Sequence, residues 1–155
     1  GLIEDKPYFL HGTDVGYSTV VTAGLREQIV ALDKPSFKKV NQETREGAYR
    51  AIYKDFWKEV KQIQDDAGRY AQDKTLFYAD HWDEIREILR LCPSAEEITQ
   101  MLLDIGFDMS AFEKMYGKEK IRRGVWYGKD LKDRYSVLWL YGDLFLGEEE
   151  ASEIR

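Results

Sequence analysis

Two histidines are the residues of this chain best suited to metal binding or proton transfer. His11 stands in the segment FLHGTDVGYST, residues 9–19, where an apolar helical pattern begins. A histidine fixed at the start of a helix can present a neutral imidazole to a metal, or it can cap the helix. Gly12 and Gly16 would let another backbone or a cofactor approach that helix closely. From spacing alone, the capping role of His11 is favoured.

The second histidine and the single cysteine are not placed for catalysis. No HExxH motif or Cys/His cluster accompanies His81, which is interpreted as a surface residue in the first turn of a helix. Cys92 precedes a proline, has no histidine near it in sequence, and cannot form an internal disulfide, which fits a reducing, cytoplasmic location. A catalytic metal usually takes three protein ligands. If His11 is a ligand, its partner ligands therefore lie outside this chain.

Composition excludes several classes of function. The chain has 155 residues and a net charge of −6, without the basic stripe that nucleic-acid binding requires. It has no apolar run long enough for a membrane span, and no signal peptide is visible. The sequence also lacks GxGxxG and GxxxxGKS/T, so no dinucleotide-binding or phosphate-binding loop is expected within it.

The apolar residues recur at intervals of three and four, which is the period of amphipathic helices. We therefore predict one all-α domain, residues 1–155, built as a bundle of six or seven helices. The first helix is expected over residues 12–32, ending before Pro35. The residues predicted to be buried on this helix are Val15, Thr19, Val20, Leu25, Ile29 and Leu32.

Longer helices are predicted in the middle and at the end of the chain. Apolar positions over residues 48–63 indicate one long amphipathic helix, with Gly68 at its end or at a break. Asp80 is predicted to be the N-cap of the next helix. Apolar residues over 121–144 indicate a long last helix.

Two pairs of residues have the spacing of a capping box, in which a serine and a glutamate satisfy free amides of the first turn. Ser94 and Glu97 predict one helix start, and Ser110 and Glu113 predict another. Gly106 stands where a left-handed residue would end the first of these helices.

The segment LKDRYSVL, residues 131–138, places a charged pair inside an otherwise apolar pattern. Arg134 can form an ion pair with a carboxylate or hold a phosphate, since a guanidinium recognises both. The structural ion pair is the commoner case.

In order and spacing, residues 10–147 resemble the C-terminal helical domain of the iron-containing alcohol dehydrogenase and dehydroquinate synthase superfamily. Residues 10–19 resemble the HG motif at the start of that domain. Residues 93–106 and 131–138 resemble the proline-serine-glutamate helix start and the RDRYTxLDL signature of the sn-glycerol-1-phosphate dehydrogenase branch. Two positions depart from the pattern: Thr13 replaces a common acidic residue, and Trp139 replaces an aspartate, whose role is therefore in doubt here.

The resemblance implies that His11 is the last of three ligands to nickel, zinc or iron, which the sequence does not distinguish. It implies hydride transfer between NAD(P) and dihydroxyacetone phosphate, with the nicotinamide bound mainly by an N-terminal nucleotide-binding domain that this chain lacks. Arg134 is a weaker candidate for binding the substrate phosphate. The chain alone is expected to be inactive.

Two other functions stay open at this point. One is a glycerol or polyol dehydrogenase of the same superfamily, and the other is a non-catalytic helical interaction domain. The oligomeric state is also open. Three aromatic residues expected to be exposed offer a surface for a homodimer: Trp126, Tyr127 and Trp139.

Overall fold

A computed structural model describes residues 11–131 and 135–154, which form nine α-helices and three 3₁₀ turns and contain no strand. The helices are α1 His11–Val30, α2 Gln42–Tyr53, α3 Trp57–Ala67, α4 Thr75–Arg90, α5 Ala95–Asp104, α6 Ala111–Tyr116, α7 Lys118–Tyr127, α8 Val137–Phe145 and α9 Glu148–Ser152. The 3₁₀ turns are Lys54–Phe56, Arg69–Ala71 and Gly128–Leu131. The predicted all-α fold is confirmed, since seven of these helices have nine residues or more.

The helices enclose two hydrophobic clusters. The first lies among α2, α3, α7 and α9, and its buried members are Val40, Ala48, Tyr49, Val60, Tyr127, Leu146, Ala151 and Ile154. The second lies among α1, α4 and α8, and its buried members are Leu25, Ile29, Tyr78, Trp82, Leu140, Tyr141 and Leu144. Trp126 on α7 packs against both clusters and joins them.

Helix α1 forms where the apolar pattern predicts it, but part of its predicted buried face is wrong. Leu25 and Ile29 are buried, whereas Val15 is 49% exposed. Thr19 is also exposed, and its hydroxyl donates to the carbonyl of Val15. Tyr17 takes the buried position at this end of the helix. The face that carries Val15 and Thr19 is therefore left uncovered by the other described helices.

The single long helix predicted over residues 48–63 is in fact two helices. The chain breaks at Lys54, a non-glycine residue with a φ of 50°, and a 3₁₀ turn leads into α3. Phe56, one of the apolar positions on which that long helix was predicted, is 59% exposed in the turn. Gly68 marks the end of α3, as predicted, and it does so in the left-handed conformation.

Two other predicted helix boundaries are wrong. Helix α4 begins five residues before Asp80, because the carboxylate of Asp73 accepts hydrogen bonds from the amide and the hydroxyl of Thr75. The long last helix is interrupted after Tyr127 by a 3₁₀ turn, and α8 begins only at Val137.

One of the two predicted serine caps is confirmed. The side chain of Ser94 accepts a hydrogen bond of 3.0 Å from the amide of Glu97 at the start of α5. Gly106 has a φ of 96° just beyond the end of α5, as predicted. Helix α6 begins directly after Ser110, as predicted, but the predicted capping hydrogen bond is not made, since the amide and the hydroxyl of Ser110 both donate to the carboxylate of Asp108.

Candidate functional site

The two site residues predicted from sequence fall at the edge of the described residues or beyond it. Helix α1 begins at His11, whose side chain lies outside what the structure describes. Arg134 also lies outside the described residues, between the 3₁₀ turn that ends at Leu131 and helix α8. Within residues 11–131 and 135–154, no group of three or more histidine, cysteine or acidic side chains is placed to hold a metal ion. The metal role of His11 and the phosphate role of Arg134 stay predictions.

His81 and Cys92 lie at the surface. His81 is in the second turn of α4, not the predicted first turn, and its side chain is 44% exposed. Its Nδ1 lies 3.5 Å from a carboxylate oxygen of Glu84, and its ring packs against Phe77. Cys92 is exposed in the link between α4 and α5. These contacts assign His81 and Cys92 no chemistry beyond a solvated surface.

The glycines after His11 have different surroundings. A Cβ atom on Gly16 would lie 2.7 Å from the ring of Phe107, so this glycine lets the segment after α5 pack directly on α1. The close approach predicted at Gly16 is thus made by a side chain of the same chain. At Gly12, by contrast, a Cβ atom would meet nothing within 4 Å among the described residues, and this glycine is exposed.

Two adjoining cavities lie along the uncovered face of α1. One has a volume of about 360 Å³ between α1, α6, α7 and α8, and the other, about 380 Å³, lies along α1 itself. Both are lined by Asp14, Ser18 and Thr22, so they form one continuous surface, which we call the α1 groove. Asp14 lies one helical turn after His11, which places the groove beside the start of the helix.

The α1 groove combines an apolar floor with a few polar groups. Val21 on α1, Val125 on α7 and Leu138 on α8 contribute the apolar side. The hydroxyl of Tyr116 donates a 2.9 Å hydrogen bond to the carboxylate of Asp14, which ties α6 to the start of α1. An apolar cavity with a small number of fixed polar groups is typical of sites for small molecules.

A buried polar network lies around the first hydrophobic cluster. Asp130 is fully buried in the 3₁₀ turn after α7. Its carboxylate accepts hydrogen bonds from the hydroxyls of Tyr49, at 2.5 Å, and Tyr70, at 2.7 Å, while its carbonyl accepts one from Gln64. Burial, together with the charge of Asp130, raises the pKa of both tyrosines well above the usual value. The two hydroxyls therefore stay protonated and donate to the carboxylate.

Lys129 completes this network from inside the protein. Its side chain is 2% exposed, and its ammonium lies 3.3 Å from the carboxylate of Asp130. It also donates to the carbonyl of Trp126 and the hydroxyl of Tyr70. The same ammonium lies about 5 Å from the centre of the Trp139 ring, an attractive cation–π distance. Because the charges of Lys129 and Asp130 are both matched by partners, this ion pair stabilises the packing of α2 and α3 on the end of α7.

The aromatic residues expected to form a homodimer surface are mostly inside the protein. Trp139 is 1% exposed and Tyr127 is fully buried. Trp126 is half-buried between the two hydrophobic clusters. Tyr127 and Trp139 are therefore not available to a second copy of the chain. The predicted exposure was wrong because both residues pack around Lys129.

A second, partly buried ion pair holds α8 against the start of α4. The ammonium of Lys74 lies 2.9 Å from the carboxylate of Asp143, which also accepts a hydrogen bond from the hydroxyl of Tyr78. Tyr78 in turn shares a hydrogen bond with Tyr135, in the segment that leads into α8. Neither of these two polar networks was predicted from the sequence. The only sequence signal for them is the number of tyrosines, ten in 155 residues.

Comparison with known proteins adds no assignment. No protein-family model matches the chain, and neither a curated protein nor a solved structure shows significant similarity to it. Among the described residues, no helix combines the length and the apolar character needed to cross a bilayer.

Proposed function

We propose that this chain is the helical domain of a metal-dependent NAD(P) dehydrogenase that transfers hydride to or from dihydroxyacetone phosphate. The observation that carries the proposal is the position of the α1 groove. Helix α1 begins at His11, and the groove runs along the uncovered face of the same helix from Asp14 onward. A ligand bound in the groove would therefore lie close to a metal held at the start of the helix.

A metal centre shared between His11 and a second domain is part of this proposal, since the side chain of His11 lies outside the described residues. No trio of ligands is present among them, so His11 would supply one imidazole ligand and a second domain would supply the others. Nickel, zinc and iron all accept such a ligand. A bound metal would act as a Lewis acid on the ketone oxygen of the substrate. The role of this chain is then to position that ligand and to form one wall of the substrate cavity.

Asp14 and Tyr116 would orient the substrate within that wall. Their hydrogen bond fixes the carboxylate at the mouth of the groove, where it can accept from a substrate hydroxyl. Val21 and Leu138 give the groove an apolar surface beside these polar groups. The hydroxyl-rich lining is also compatible with an unphosphorylated polyol, so substrate choice needs a direct comparison.

The decisive experiment assays the polypeptide encoded by the complete reading frame, with NAD(P)H and dihydroxyacetone phosphate. We expect metal-dependent oxidation of the cofactor, lost on His11→Ala and retained on His81→Ala, which replaces the only other histidine of the chain. The 155-residue chain alone is expected to be inactive. Full activity of the His11→Ala variant, or turnover by the isolated chain, would refute the proposal. Parallel assays with dihydroxyacetone and glycerol test the polyol alternative.

A non-catalytic interaction domain is the second candidate function. It is favoured by large apolar side chains that stand exposed on α4, on α5 and in their links, namely Leu76, Ile88, Leu91, Met101 and Ile105. Such side chains are common in binding surfaces when they lie together. This function predicts that the reading frame encodes no nucleotide-binding region and that no dehydrogenase activity accompanies it.

A further inference from the structure

The guanidinium of Arg45 on α2 is buried with too few acceptors. The side chain is 6% exposed, yet its two polar contacts are long: 3.5 Å to the hydroxyl of Tyr49 and 3.6 Å to the carboxylate of Asp65. Charge-assisted hydrogen bonds are usually about 2.7–2.9 Å. The Nε atom has no hydrogen-bond acceptor among the described residues. A buried cation in this state is costly unless it gains a further acceptor.

Arg45 lies in the wall of a cavity of about 440 Å³ between the start of α2 and the end of α3. The guanidinium stacks on the ring of Tyr70, 4.2 Å from the ring centre, and this contact fixes its plane. Lys39, just before α2, also lines the cavity and is exposed. Two cations thus reach the same cavity from different segments of the chain.

The N-terminus of α2 adds backbone donors to the same cavity. Asn41 and Gln42 line it, and Asn41 is the N-cap, whose side chain accepts from the amide of Thr44. The amide of Gln42 belongs to the first turn, where no acceptor exists within the helix. Helix N-termini also carry a partial positive charge, which attracts anions.

One carboxylate shares the cavity, and its charge is largely matched. Asp65 lines the cavity and forms an ion pair of 2.5 Å with Lys61, which lies outside it. Lys61 also lies 3.7 Å from Glu46. Asp65 lies closer to Lys61 than to Arg45, so the guanidinium charge is only partly matched, while Lys39 also acts on Asp73 and helps to lower the pKa of that carboxyl.

We propose that this cavity binds a phosphate-type oxyanion, either free phosphate or a phosphomonoester. The donors converge from three directions, which are the guanidinium edge of Arg45, the ammonium of Lys39 and the first turn of α2. A tetrahedral oxyanion has oxygens for all three, whereas a carboxylate has only two oxygens in one plane. The site lies on α2 and α3, away from helix α1, so it is independent of the dehydrogenase function proposed above.

The test is a titration of the full chain with inorganic phosphate, monitored by NMR, with the ionic strength kept constant by chloride. We expect saturable shifts of the Arg45 Nε–H signal and of the Gln42 amide signal. Loss of the lysine contact in Lys39→Gln should weaken binding about tenfold, the value of one charge-assisted hydrogen bond. Lys34→Gln removes the same charge from an exposed loop position outside the cavity and should leave binding unchanged.

Two further measurements sharpen the result. Arg45→Lys keeps the charge but loses the planar fork, so it should abolish the saturable shift of the Gln42 amide. A titration with methyl phosphate distinguishes the two ligands. If methyl phosphate binds as tightly as inorganic phosphate, the site accepts phosphomonoesters; if methyl phosphate does not bind, the site is specific for the free ion. The proposal is overturned if the Arg45 Nε–H signal does not move. It is equally overturned if chloride alone causes the same shifts, or if Lys39→Gln and Lys34→Gln behave alike.

Discussion

Replacing the buried carboxylate of Asp130 by an amide is expected to destabilise the fold strongly. In Asp130→Asn the side chain keeps its shape but offers one acceptor oxygen in place of two. The hydroxyls of Tyr49 and Tyr70 both reach the same carboxylate oxygen, Oδ2, and an amide oxygen in that place can still accept from both. The amide nitrogen then replaces Oδ1 and places a donor beside the ammonium of Lys129. Lys129, whose side chain is 2% exposed, also loses the negative charge 3.3 Å away.

The magnitude follows from the loss of a buried counter-charge. Removing one partner of a buried ion pair costs about 3–5 kcal/mol, because the other charge stays desolvated. For a chain of this size, each kcal/mol lowers the melting temperature by roughly 2–4 °C. Asp130→Asn should therefore melt roughly 6–20 °C below the parent protein.

The assays are thermal unfolding and urea unfolding, both monitored by tryptophan fluorescence, because the ring of Trp139 lies beside the ammonium of Lys129. Glu119→Gln is the matched control, because it removes a carboxylate from exposed ion pairs with Arg122 and Arg123. Exposed pairs contribute about 0–1 kcal/mol, so this control should unfold close to the parent. If Asp130→Asn loses no more stability than Glu119→Gln, the network does not hold the helices together as argued.

Two further predictions concern packing and pH. Gly16→Ala should destabilise the protein by about 1–3 kcal/mol, because its Cβ would overlap the ring of Phe107. Gly24→Ala in the same helix, where a Cβ meets nothing within 4 Å, should instead stabilise it by about 0.5–1 kcal/mol, and thermal melts of the pair give the sign of each effect. The hydroxyl and amide of Thr75 lower the pKa of Asp73, so the stabilisation by Asp73 is present above the ordinary carboxyl pKa and is lost as the pH falls through the lowered value. In Thr75→Val, an NMR titration should find the pKa of Asp73 closer to its ordinary value; an unchanged pKa would contradict the assigned cause.

The parts of the fold that the sequence predicts correctly depend on local signals. The period of apolar residues locates α1, and Ser94 and Gly106 mark the ends of α5 through hydrogen bonds made within a few residues. Such contacts depend on nearby residue types, so a single sequence carries them. The burial on α1 was only partly correct, because α5 and α8 decide which face is covered, and nothing local specifies their positions.

The parts that the sequence could not predict depend on distant partners. The break at Lys54 involves no glycine or proline, so no residue type announces it. The partners Tyr49 and Tyr70 are 81 and 60 residues away from Asp130, and the sequence pattern gives no sign of either distance. In the sequence, Arg45 is indistinguishable from the other charged residues of a helix. Only the structure shows that it is buried and that it lines a cavity.

The indole of Trp126 belongs to both hydrophobic clusters, and this has a consequence for how the protein comes apart. The same side chain packs against the first cluster and stacks on Tyr141 of the second. If either cluster opened, the side of Trp126 that covers the other cluster would lose its support. Units that share a buried wall open together, whereas separate ones open at different free energies. In a hydrogen-exchange measurement, the slowest amide protons around the two hydrophobic clusters should therefore exchange with the same free energy of opening.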